Sequence, residues 1–472
     1  MKKRIGYLLS LVLTVLAFNL IAVHSACAVT LATNSVLNIA RQLHTATLLN
    51  DGKVLVVGGQ NNQGWSSSGE LYNPANRTWT LTGKMKTARG EHTATMLPNG
   101  KVLVTGGFGN GNIYISSAEL YDPTTGTWTE TGSLITARTR HTATLLPNGK
   151  VLLTGGFTDG HASSSAELYD PASGKWTTTG GMNAPRARHT ATLLADGRVL
   201  VVGGWNWPTR DLSSTEIYDP ITGTWTATAM MNTARSEHTA TKLFDGQVLI
   251  VGENGSSELY NPVAGIWKAT GALNISRHCH TTTLLPNGQV LVVGGTHPVL
   301  QALSTVEIFN PAAGTWRAVD MLMTPRAYGH TATLLSSGQL LVAAGTLDGA
   351  NALPNAEVID LAGGTRPLKQ MLVTVSANKN NLPTGESYDA TTGRAATITL
   401  TAPLRLSSGA FQFVFTNSPG TTFTVLVTTD LSIPLSNWTV LGHVTEIEPG
   451  QYQFTDPEAL NYSQRFYRIS AP

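Results

Sequence analysis

One stretch of the sequence, residues 138–176, decides the fold: RTRHTATLLPNGKVLLTGGFTDGHASSSAELYDPASGKW. Its histidine recurs at positions 44, 92, 141, 189, 238, 280 and 330, and its tryptophan recurs at positions 79, 128, 176, 225, 267 and 316. The spacing is 48 to 50 residues, apart from one interval of 42. A period of this size indicates stacked structural repeats, because a single unit cannot bury its own apolar face.

Each repeat reads as four short strands. The segment HTATLL predicts the first strand, and the Asn-Gly or Asp-Gly pair that follows it is typical of a two-residue hairpin turn. A continuous apolar run, such as VLL at 151–153, predicts a second strand buried on both faces, and it ends at Gly155 and Gly156. The segment ELYD, a turn of the form Asp-Pro-x-x-Gly and the tryptophan complete the unit. Seven such units predict an all-β fold, a seven-bladed β-propeller.

The double glycine, the tyrosine and the tryptophan, spaced in this way over about 330 residues, resemble the Kelch repeat. This resemblance implies four-stranded propeller blades, in the same broad group as the central domain of galactose oxidase. The sequence contains seven strands with the repeated histidine but only six with the repeated tryptophan, so the last repeat lacks its fourth strand. Aligning Arg41 with Arg89 places Leu31 opposite Trp79. We therefore expect residues 29–33 to be the closing strand of the last blade in a propeller that spans 29–361, since open sheet edges would otherwise remain.

The N-terminus reads as a secretory signal peptide over residues 1–28. Basic residues at 2–4 precede an apolar run from 7 to 23, and Ala26-Cys27-Ala28 offers the small residues that signal peptidase recognises. We expect cleavage before Val29 and a secreted or cell-surface protein exported from a bacterium. Acylation of Cys27 is the alternative, but His24 stands where an aliphatic residue is needed. After cleavage, Cys279 is the only cysteine, so no internal disulfide is expected.

The remainder of the chain differs in pattern from the repeats. Residues 362–405 read either as a linker or as a decayed blade fragment. Residues 406–472 contain five or six short alternating segments and predict a small C-terminal β-sandwich. This predicted sandwich resembles a module common on exported bacterial proteins. The resemblance is looser than that of the repeats to the Kelch family, and it implies no activity. The net charge of +2 gives no reason to expect nucleic acid as a partner.

Residues that recur in every blade are expected to build the scaffold. The Arg, His and Glu series are predicted to hydrogen-bond one another and the backbone where one blade crosses to the next. The Tyr and Trp series are predicted to pack blade against blade. Function is expected where blades differ, in the loops after the second strands, which all lie on one face of the ring. The ligand-binding candidates on this variable face are Trp65, Tyr114, His161, Trp205, Trp207, Arg210, Asp211, Arg277, His278 and His297.

The fifth repeat has the shortest loop, so a notch is expected in the variable face. Beside it lies Arg277-His278-Cys279-His280, where two imidazoles and a thiol are possible metal ligands. His280 belongs to the repeated series, however, and neighbouring side chains on a strand point to opposite faces. No metal site and no cofactor are therefore predicted.

The leading hypothesis is a secreted, monomeric, non-catalytic Kelch-repeat protein that binds a glycan or a protein outside the cell, with no membrane span after removal of the signal. It rests on the contrast between one uniform and one variable face of the propeller. The C-terminal module would serve as a spacer or attachment unit. The alternative is a carbohydrate-active enzyme, either a copper oxidase like galactose oxidase or a Kelch-type sugar epimerase. No nucleophile elbow, phosphate-binding loop or HExxH motif occurs in the sequence, but an epimerase would need only a few scattered acid-base groups. A third possibility is a surface-layer or adhesion component whose ligand is another cell-envelope protein.

Overall fold

The computed structural model describes residues 30–252, 254–299 and 301–360, and seven strand-bearing segments between residues 375 and 470. The predicted signal peptide, residues 1–28, lies outside the described residues. Seven antiparallel sheets follow one another along the chain, and each is one blade. Six have four strands, and the sixth has a fifth short strand, Thr296–His297, paired with its third strand. The prediction of an all-β, seven-bladed propeller is confirmed.

Blade three shows how the repeat forms a sheet. Its four strands, called A to D, are Thr142–Leu145, Val151–Thr154, Ala166–Asp170 and Lys175–Thr179. They pair in sequence order, with Thr142 opposite Thr154 in the A–B pair and Tyr169 opposite Trp176 in the C–D pair. The A–B turn places Gly149 at φ +81°, a value that the hairpin requires and that glycine adopts without steric cost. Strand B is buried along its whole length, as its unbroken apolar sequence predicts.

The strands have the following bounds, in the order A, B, C and D. Blades one to four comprise Thr45–Leu48, Val54–Val57, Gly69–Asn73 and Thr78–Thr82; Thr93–Met96, Val102–Thr105, Ala118–Asp122 and Thr127–Thr131; Thr142–Leu145, Val151–Thr154, Ala166–Asp170 and Lys175–Thr179; Thr190–Leu193, Val199–Val202, Thr215–Asp219 and Thr224–Thr228. Blades five to seven comprise Thr239–Lys242, Val248–Val251, Ser257–Asn261 and Ile266–Ala269; Thr281–Leu284, Val290–Val293, Gln301–Asn310 and Thr315–Arg326; Thr331–Leu334, Leu340–Ala343, Asn355–Asp360 and Thr30–Val36.

The last blade takes its fourth strand from the start of the chain. Strand Thr30–Val36 pairs antiparallel with Asn355–Asp360, and Leu31 lies opposite Ile359. The A strands of neighbouring blades contact each other all round the ring, including the first and the seventh. The ring is therefore closed by both backbone pairing and packing.

Apolar clusters lie between the blades rather than within them. One cluster joins Leu55 and Val57 of blade one to Val102, Val104 and Tyr121 of blade two. An equivalent cluster joins the first and seventh blades. Each fully buried aliphatic side chain contributes about 1.5–3 kcal/mol through removal from water. The stability of the ring is thus distributed over its interfaces.

Most blades carry a small hairpin in the loop between strands B and C. The paired segments are Gln60–Asn61 with Gly64–Trp65, Phe108–Gly109 with Ile113–Tyr114, Phe157–Thr158 with His161–Ala162, Trp205–Asn206 with Arg210–Asp211, and Thr296–His297 with the start of Gln301–Asn310. In blade five, where Glu253 is not described, the described residues form only a tight turn in which the Gly252 N–H donates to the Ser256 carbonyl oxygen. These loops and the D–A connections lie on the same face, called the variable face; the A–B and C–D turns lie on the opposite, hairpin face.

The described C-terminal strands form two further sheets. One has the order Val375–Asn378, Gln464–Ser470, Thr424–Thr428 and Thr439–His443; the other has the order Thr401–Arg405, Phe411–Thr416, Gln451–Asp456 and Thr445–Glu448. Two of these strands, 375–378 and 401–405, belong to the segment for which the sequence predicted a linker or a decayed blade fragment. They pair with strands of the predicted C-terminal module.

Candidate functional site

The repeated charges form one buried ion pair in each blade. In blade three, Arg138 Nη2 lies 2.7 Å from Glu167 Oε1 with both side chains buried. Arg138 also donates to the Gly155 carbonyl oxygen, and Glu167 accepts from the backbone N–H groups of Ile135 and Thr136. Burial lowers the pKa of Arg138, and Glu167 opposes that shift. Equivalent pairs occur in all seven blades, which confirms the scaffold role predicted for the Arg and Glu series.

The repeated histidines form a second scaffold ring, with a different partner from the one expected. His141 Nε2 lies 3.0 Å from Thr93 Oγ1 of the preceding blade, and His44 Nε2 closes the ring at 2.9 Å from Thr331 Oγ1. The prediction that histidine bonds to the repeated Arg or Glu is thus corrected, because the imidazole turns into the neighbouring blade. Burial first, and the adjacent arginine second, lower the histidine pKa to about 3 in four blades: His92, His238, His280 and His330.

Seven residues directly before the repeated histidines form what we call the mouth ring, on the variable face where the D–A connections enter strand A. Its members are Leu43, Glu91, Arg140, Arg188, Glu237, Cys279 and Gly329. All have φ between 51° and 66°, a left-handed conformation in which only glycine is free of steric cost. Backbone bonds link the ring from blade to blade, with each N–H donating to the preceding carbonyl oxygen from Leu43 to Glu237. The mouth ring is therefore a fixed platform.

Charged side chains of the mouth ring converge on Arg140. Its Nη2 lies 2.5 Å from Glu91 Oε1 and donates to the Tyr328 hydroxyl at 3.2 Å, and its Nη1 lies 3.3 Å from Glu237 Oε1. Arg188 Nη1 lies 2.9 Å from the same Glu237 oxygen. Arg140 of blade three thus contacts blades two, five and seven, so its side chain spans the mouth of the central channel. The network brings two guanidinium groups and two carboxylates together on the variable face.

The thiol and the phenol beside this network are held in their neutral forms. Burial raises the pKa of Cys279, and Glu237, whose Oε2 lies 3.6 Å from the sulfur, raises it further. Burial also raises the pKa of Tyr328, although Arg140 opposes the shift. Burial disfavours the charge on Arg140 as well, but Glu91 and Glu237 outweigh it and raise the pKa of Arg140. Arg140 therefore keeps its positive charge within the network.

Five aromatic residues of the B–C hairpins form an aromatic arc over blades one to four: Trp65, Phe108, Tyr114, Phe157 and Trp205. Trp65 and Phe108 meet edge to face at a centroid distance of 5.9 Å, and Phe108 meets Tyr114 at 5.3 Å. Phe157 meets Trp205 at 5.5 Å. All five side chains are half-buried, so their rings are positioned by neighbours while part of each remains in contact with solvent.

The aromatic arc and the mouth ring meet at Phe157. The guanidinium carbon of Arg188 lies 5.8 Å from the centre of the Phe157 ring, a cation–π contact. Ala187, the residue before Arg188, pairs through its backbone with Trp205. Arg188 thus follows a residue whose backbone pairs with the Trp205 hairpin, and its guanidinium group contacts Phe157. This is the point on the variable face where aromatic and charged groups come together.

The structure brings together only part of the predicted site. Trp65, Tyr114 and Trp205 lie in the aromatic arc. Trp207 is 64% exposed in the loop of the Trp205–Asp211 hairpin. Three other candidates lie on the same loops, with His161 and Arg210 exposed and Asp211 half-buried opposite Trp205.

The three candidates on blade six are placed differently. Arg277 is fully buried and bonded to Glu307, so its assignment to ligand binding is wrong, and it belongs to the scaffold. His278 is half-buried and bridges Thr296 through its backbone. The Nδ1 atom of His297 accepts the Val299 N–H at 3.1 Å.

Sequence reasoning missed the mouth ring, although the sequence contains a signal for it. The position before each repeated histidine reads Leu, Glu, Arg, Arg, Glu, Cys and Gly along the seven blades. A position that varies inside an otherwise uniform segment indicates a candidate binding residue, as a variable loop does. The variable loops do not include this position.

The residues of the mouth do not fit a copper ion of the galactose oxidase type. Arg140 and Arg188 already neutralise both carboxylates, and the Tyr328 hydroxyl accepts from Arg140. The repeated imidazoles bond to threonines or, in His330, also approach a backbone carbonyl. Within the described part of the chain, no three His, Cys, Asp or Glu side chains are grouped as a metal would require. In the same residues, no helix is long and apolar enough to span a membrane.

Comparisons with known proteins agree with this architecture. The profile of the KLHDC2/KLHL20/DRC7 Kelch-repeats domain matches residues 22–252, and the profile of the Kelch motif matches residues 277–320. No curated protein matches the chain. A solved structure described as a novel fungal alcohol oxidase of the AA5 family in complex with copper is 14% identical, with a TM-score of 0.59, and covers 93% of this chain and 99% of its own.

A second solved structure, of YjhT, is 15% identical with a TM-score of 0.49 and covers 60% of this chain and 99% of its own. At 14% identity, the likeness to the fungal oxidase concerns the fold alone. The two Kelch profiles and the seven described blades identify the chain as a member of the Kelch-repeat β-propeller family.

Proposed function

We propose that this protein is an exported, non-catalytic binding protein that recognises a glycan through the variable face of its propeller. The observation that supports this proposal is the meeting of the aromatic arc with the charged mouth ring on one face. Aromatic rings stack on the C–H faces of sugar rings, and carboxylates and guanidinium groups bond to the hydroxyls around them. A glycan presents both the C–H faces and the hydroxyl groups that such a site would bind.

The convergence of polar groups favours a sugar over a flat protein surface. Arg140, Arg188, Glu91 and Glu237 come together within one bonded network. A protein partner is bound mainly through a broad apolar centre depleted of charge, and the mouth ring has the opposite composition. The mouth ring and the hairpins are also held by backbone bonds, so little ordering cost is expected on binding.

Binding can be tested with the mature protein on a glycan array, followed by affinity measurement on the positive glycans. Trp65→Ala and Trp205→Ala are each expected to weaken binding about tenfold or more, because each removes one stacking surface. Phe244→Ala is the matched control, since Phe244 is a 71% exposed aromatic residue in an A–B turn on the hairpin face. Circular dichroism and thermal melting of each variant separate lost binding from lost folding.

The proposal fails if no glycan on the array binds, or if Phe244→Ala weakens binding as much as the two tryptophan variants. Capture of a protein partner that competes at Trp65 and Trp205 would favour the protein-binding hypothesis instead. The outcome therefore distinguishes glycan from protein recognition on the same face.

Export is the second part of the proposal and rests on residues 1–28. Expression of the full chain in a bacterial host should yield an extracytoplasmic protein whose N-terminal residue is Val29, as measured by intact mass. A protein that retains residue 1 and stays in the cytoplasm would contradict it. Replacing Ala28 with a large residue is expected to block cleavage, because signal peptidase requires small side chains at that position.

A further inference from the structure

We propose that the variable face binds an extended glycan chain of several sugar units, which passes over the mouth ring and leaves the face through a gap at blade five. The inference rests on the proposed glycan-binding function and adds to it the form of the ligand, a linear polymer rather than a single sugar or a short chain end. It also gives a role to Trp207, which lies outside the aromatic arc.

The B–C loops of blades seven, one, two, three and four are joined into a wall beside the mouth ring. Each of these loops begins next to the ring, because its first residue pairs through the backbone with the residue before the mouth-ring position. Neighbouring loops also contact one another. The contacts are the Ala352 N–H with the Asn62 side chain at 3.1 Å, the Trp65 N–H with the Asn110 side chain at 3.4 Å, the Gly160 N–H with the Tyr114 hydroxyl at 3.1 Å, and the Phe157 ring with the Trp205 ring at 5.5 Å.

Blade five interrupts this wall because its B–C loop is short. Three residues lie between the first glycine after strand B and Ser256, whereas nine lie between the equivalent glycine of blade three and Ser165. The two loops end on the same scaffold bond. Arg138 donates to the Ser165 carbonyl oxygen, and in blade five the Ser256 carbonyl oxygen accepts from Arg235 at 3.1 Å. The shortening therefore removes the part of the loop that forms a hairpin in blade three.

The gap at blade five opens beside the charged part of the mouth ring. Glu237 is the mouth-ring residue of this blade, and its side chain is 26% exposed and bonded to Arg188 of blade four at 2.9 Å. The hairpin of blade four flanks the gap and carries Trp207, which is 64% exposed. We expect a glycan chain that passes over Glu237 and out at blade five to stack a further sugar on Trp207.

A gap on one side of the wall favours a long chain over a chain end. A closed wall would force the remainder of a polymer to rise away from the mouth ring, where it would make no further contact. With the wall open at one blade, an extended chain keeps its contacts with the aromatic arc and the mouth ring and continues outward. The loops and the ring are already held by backbone bonds, so each added sugar in contact binds with little ordering of the protein.

The first test measures how affinity depends on chain length in the native protein. Fragments of two, four and six sugar units are prepared from cellulose, chitin, xylan and polygalacturonate, and the series with the highest affinity is used. The six-unit fragment is expected to bind about tenfold or more tightly than the two-unit fragment. Equal affinity of the two fragments would overturn the inference while glycan recognition stands, as would binding of array glycans without binding of any linear series. If no glycan binds at all, the proposed function itself fails.

The second test removes the aromatic side chain at the edge of the gap. Trp207→Ala is expected to weaken binding of the six-unit fragment about fivefold to tenfold and that of the two-unit fragment much less. Ile113→Ala is the matched control, since Ile113 is a 56% exposed apolar residue on the hairpin of blade two, away from the gap. An equal loss with Ile113→Ala, or an unchanged affinity of Trp207→Ala for the six-unit fragment, would contradict the proposed path.

The third test closes the gap. Residues 253–255 are replaced by a copy of residues 156–164 from blade three, so that blade five gains a hairpin between the same scaffold bonds. The six-unit fragment should then bind about as weakly as the two-unit fragment, whose own affinity should change less than about threefold. Retained binding of the two-unit fragment and an unchanged thermal melting profile show that the variant folds. A folded variant that still prefers the six-unit fragment as strongly as the native protein does would overturn the inference.

Discussion

The repeated histidine and the residue directly before it are neighbours in every blade, yet they have opposite roles. The histidine is the same in all seven blades, and its imidazole is buried against the preceding blade. The residue before it differs along the chain and stands on the variable face with a positive φ. One bond of the backbone thus separates the scaffold from the candidate site. The repeat fixes the backbone conformation at both positions. Only the residue before the histidine varies in its side chain from blade to blade.

The largest expected effect concerns the histidine side of this comparison. The four histidines with pKa of about 3 titrate near 6.5 when unfolded, so the unfolded chain binds more protons than the folded chain between these values. Stability from these groups is fully present above pH 6.5 and is lost as the pH falls below it. Each contributes a slope of about 1.4 kcal/mol per pH unit. Thermal and denaturant unfolding between pH 7.5 and 5 should show a steep decline.

A variant with one titrating group fewer sharpens that measurement. His92→Gln should lower the free energy of unfolding at pH 7.5. Below pH 6.5 it should also make the dependence of that free energy on pH less steep, by the contribution of one titrating group. Carboxylates titrate mainly below pH 5, so the window above that value isolates the histidines. A stability that stays constant from pH 7.5 to pH 5 would show that the buried imidazoles are not the source.

The scaffold could be predicted from the sequence because each of its residues makes the same contact seven times. The interval between Trp79 and its successors predicted the blades, and the alignment of Arg41 with Arg89 assigned residues 29–33 to the last blade. In the structure, Thr30–Val36 pairs with Asn355–Asp360 of that blade. The histidine partner was missed, because the donor and acceptor are both repeated and the sequence does not state which blade the imidazole enters.

The candidate site was harder to predict, because its residues are close only in space. Trp65, Tyr114 and Trp205 could be chosen as aromatic residues of variable loops. Arg140 and Tyr328, in contrast, are 188 positions apart and meet only because the ring places their blades across the channel mouth. No local pattern contains that information.

A smaller effect is expected from breaking the buried ion pair of the scaffold. Glu167→Gln removes one charge and leaves Arg138 buried without its counter-ion, which typically costs about 3–5 kcal/mol. The expected result is a marked decrease in the free energy of unfolding, with any binding to the proposed glycan ligand unchanged in the folded protein. A loss below about 1 kcal/mol would mean that the Arg138 bonds to backbone carbonyls suffice.

The smallest effect is expected from the same substitution made in the mouth ring. Glu91→Gln also removes a carboxylate bonded to an arginine, but Arg140 retains Glu237 and Tyr328 as partners and is 23% exposed. The change in the free energy of unfolding should therefore be about 1 kcal/mol or less, as for ion pairs in contact with water. Binding should respond instead, because Arg140 loses the partner that holds it across the channel mouth. A stability loss as large as that of Glu167→Gln would place the mouth ring within the scaffold and remove the distinction between the two neighbouring positions.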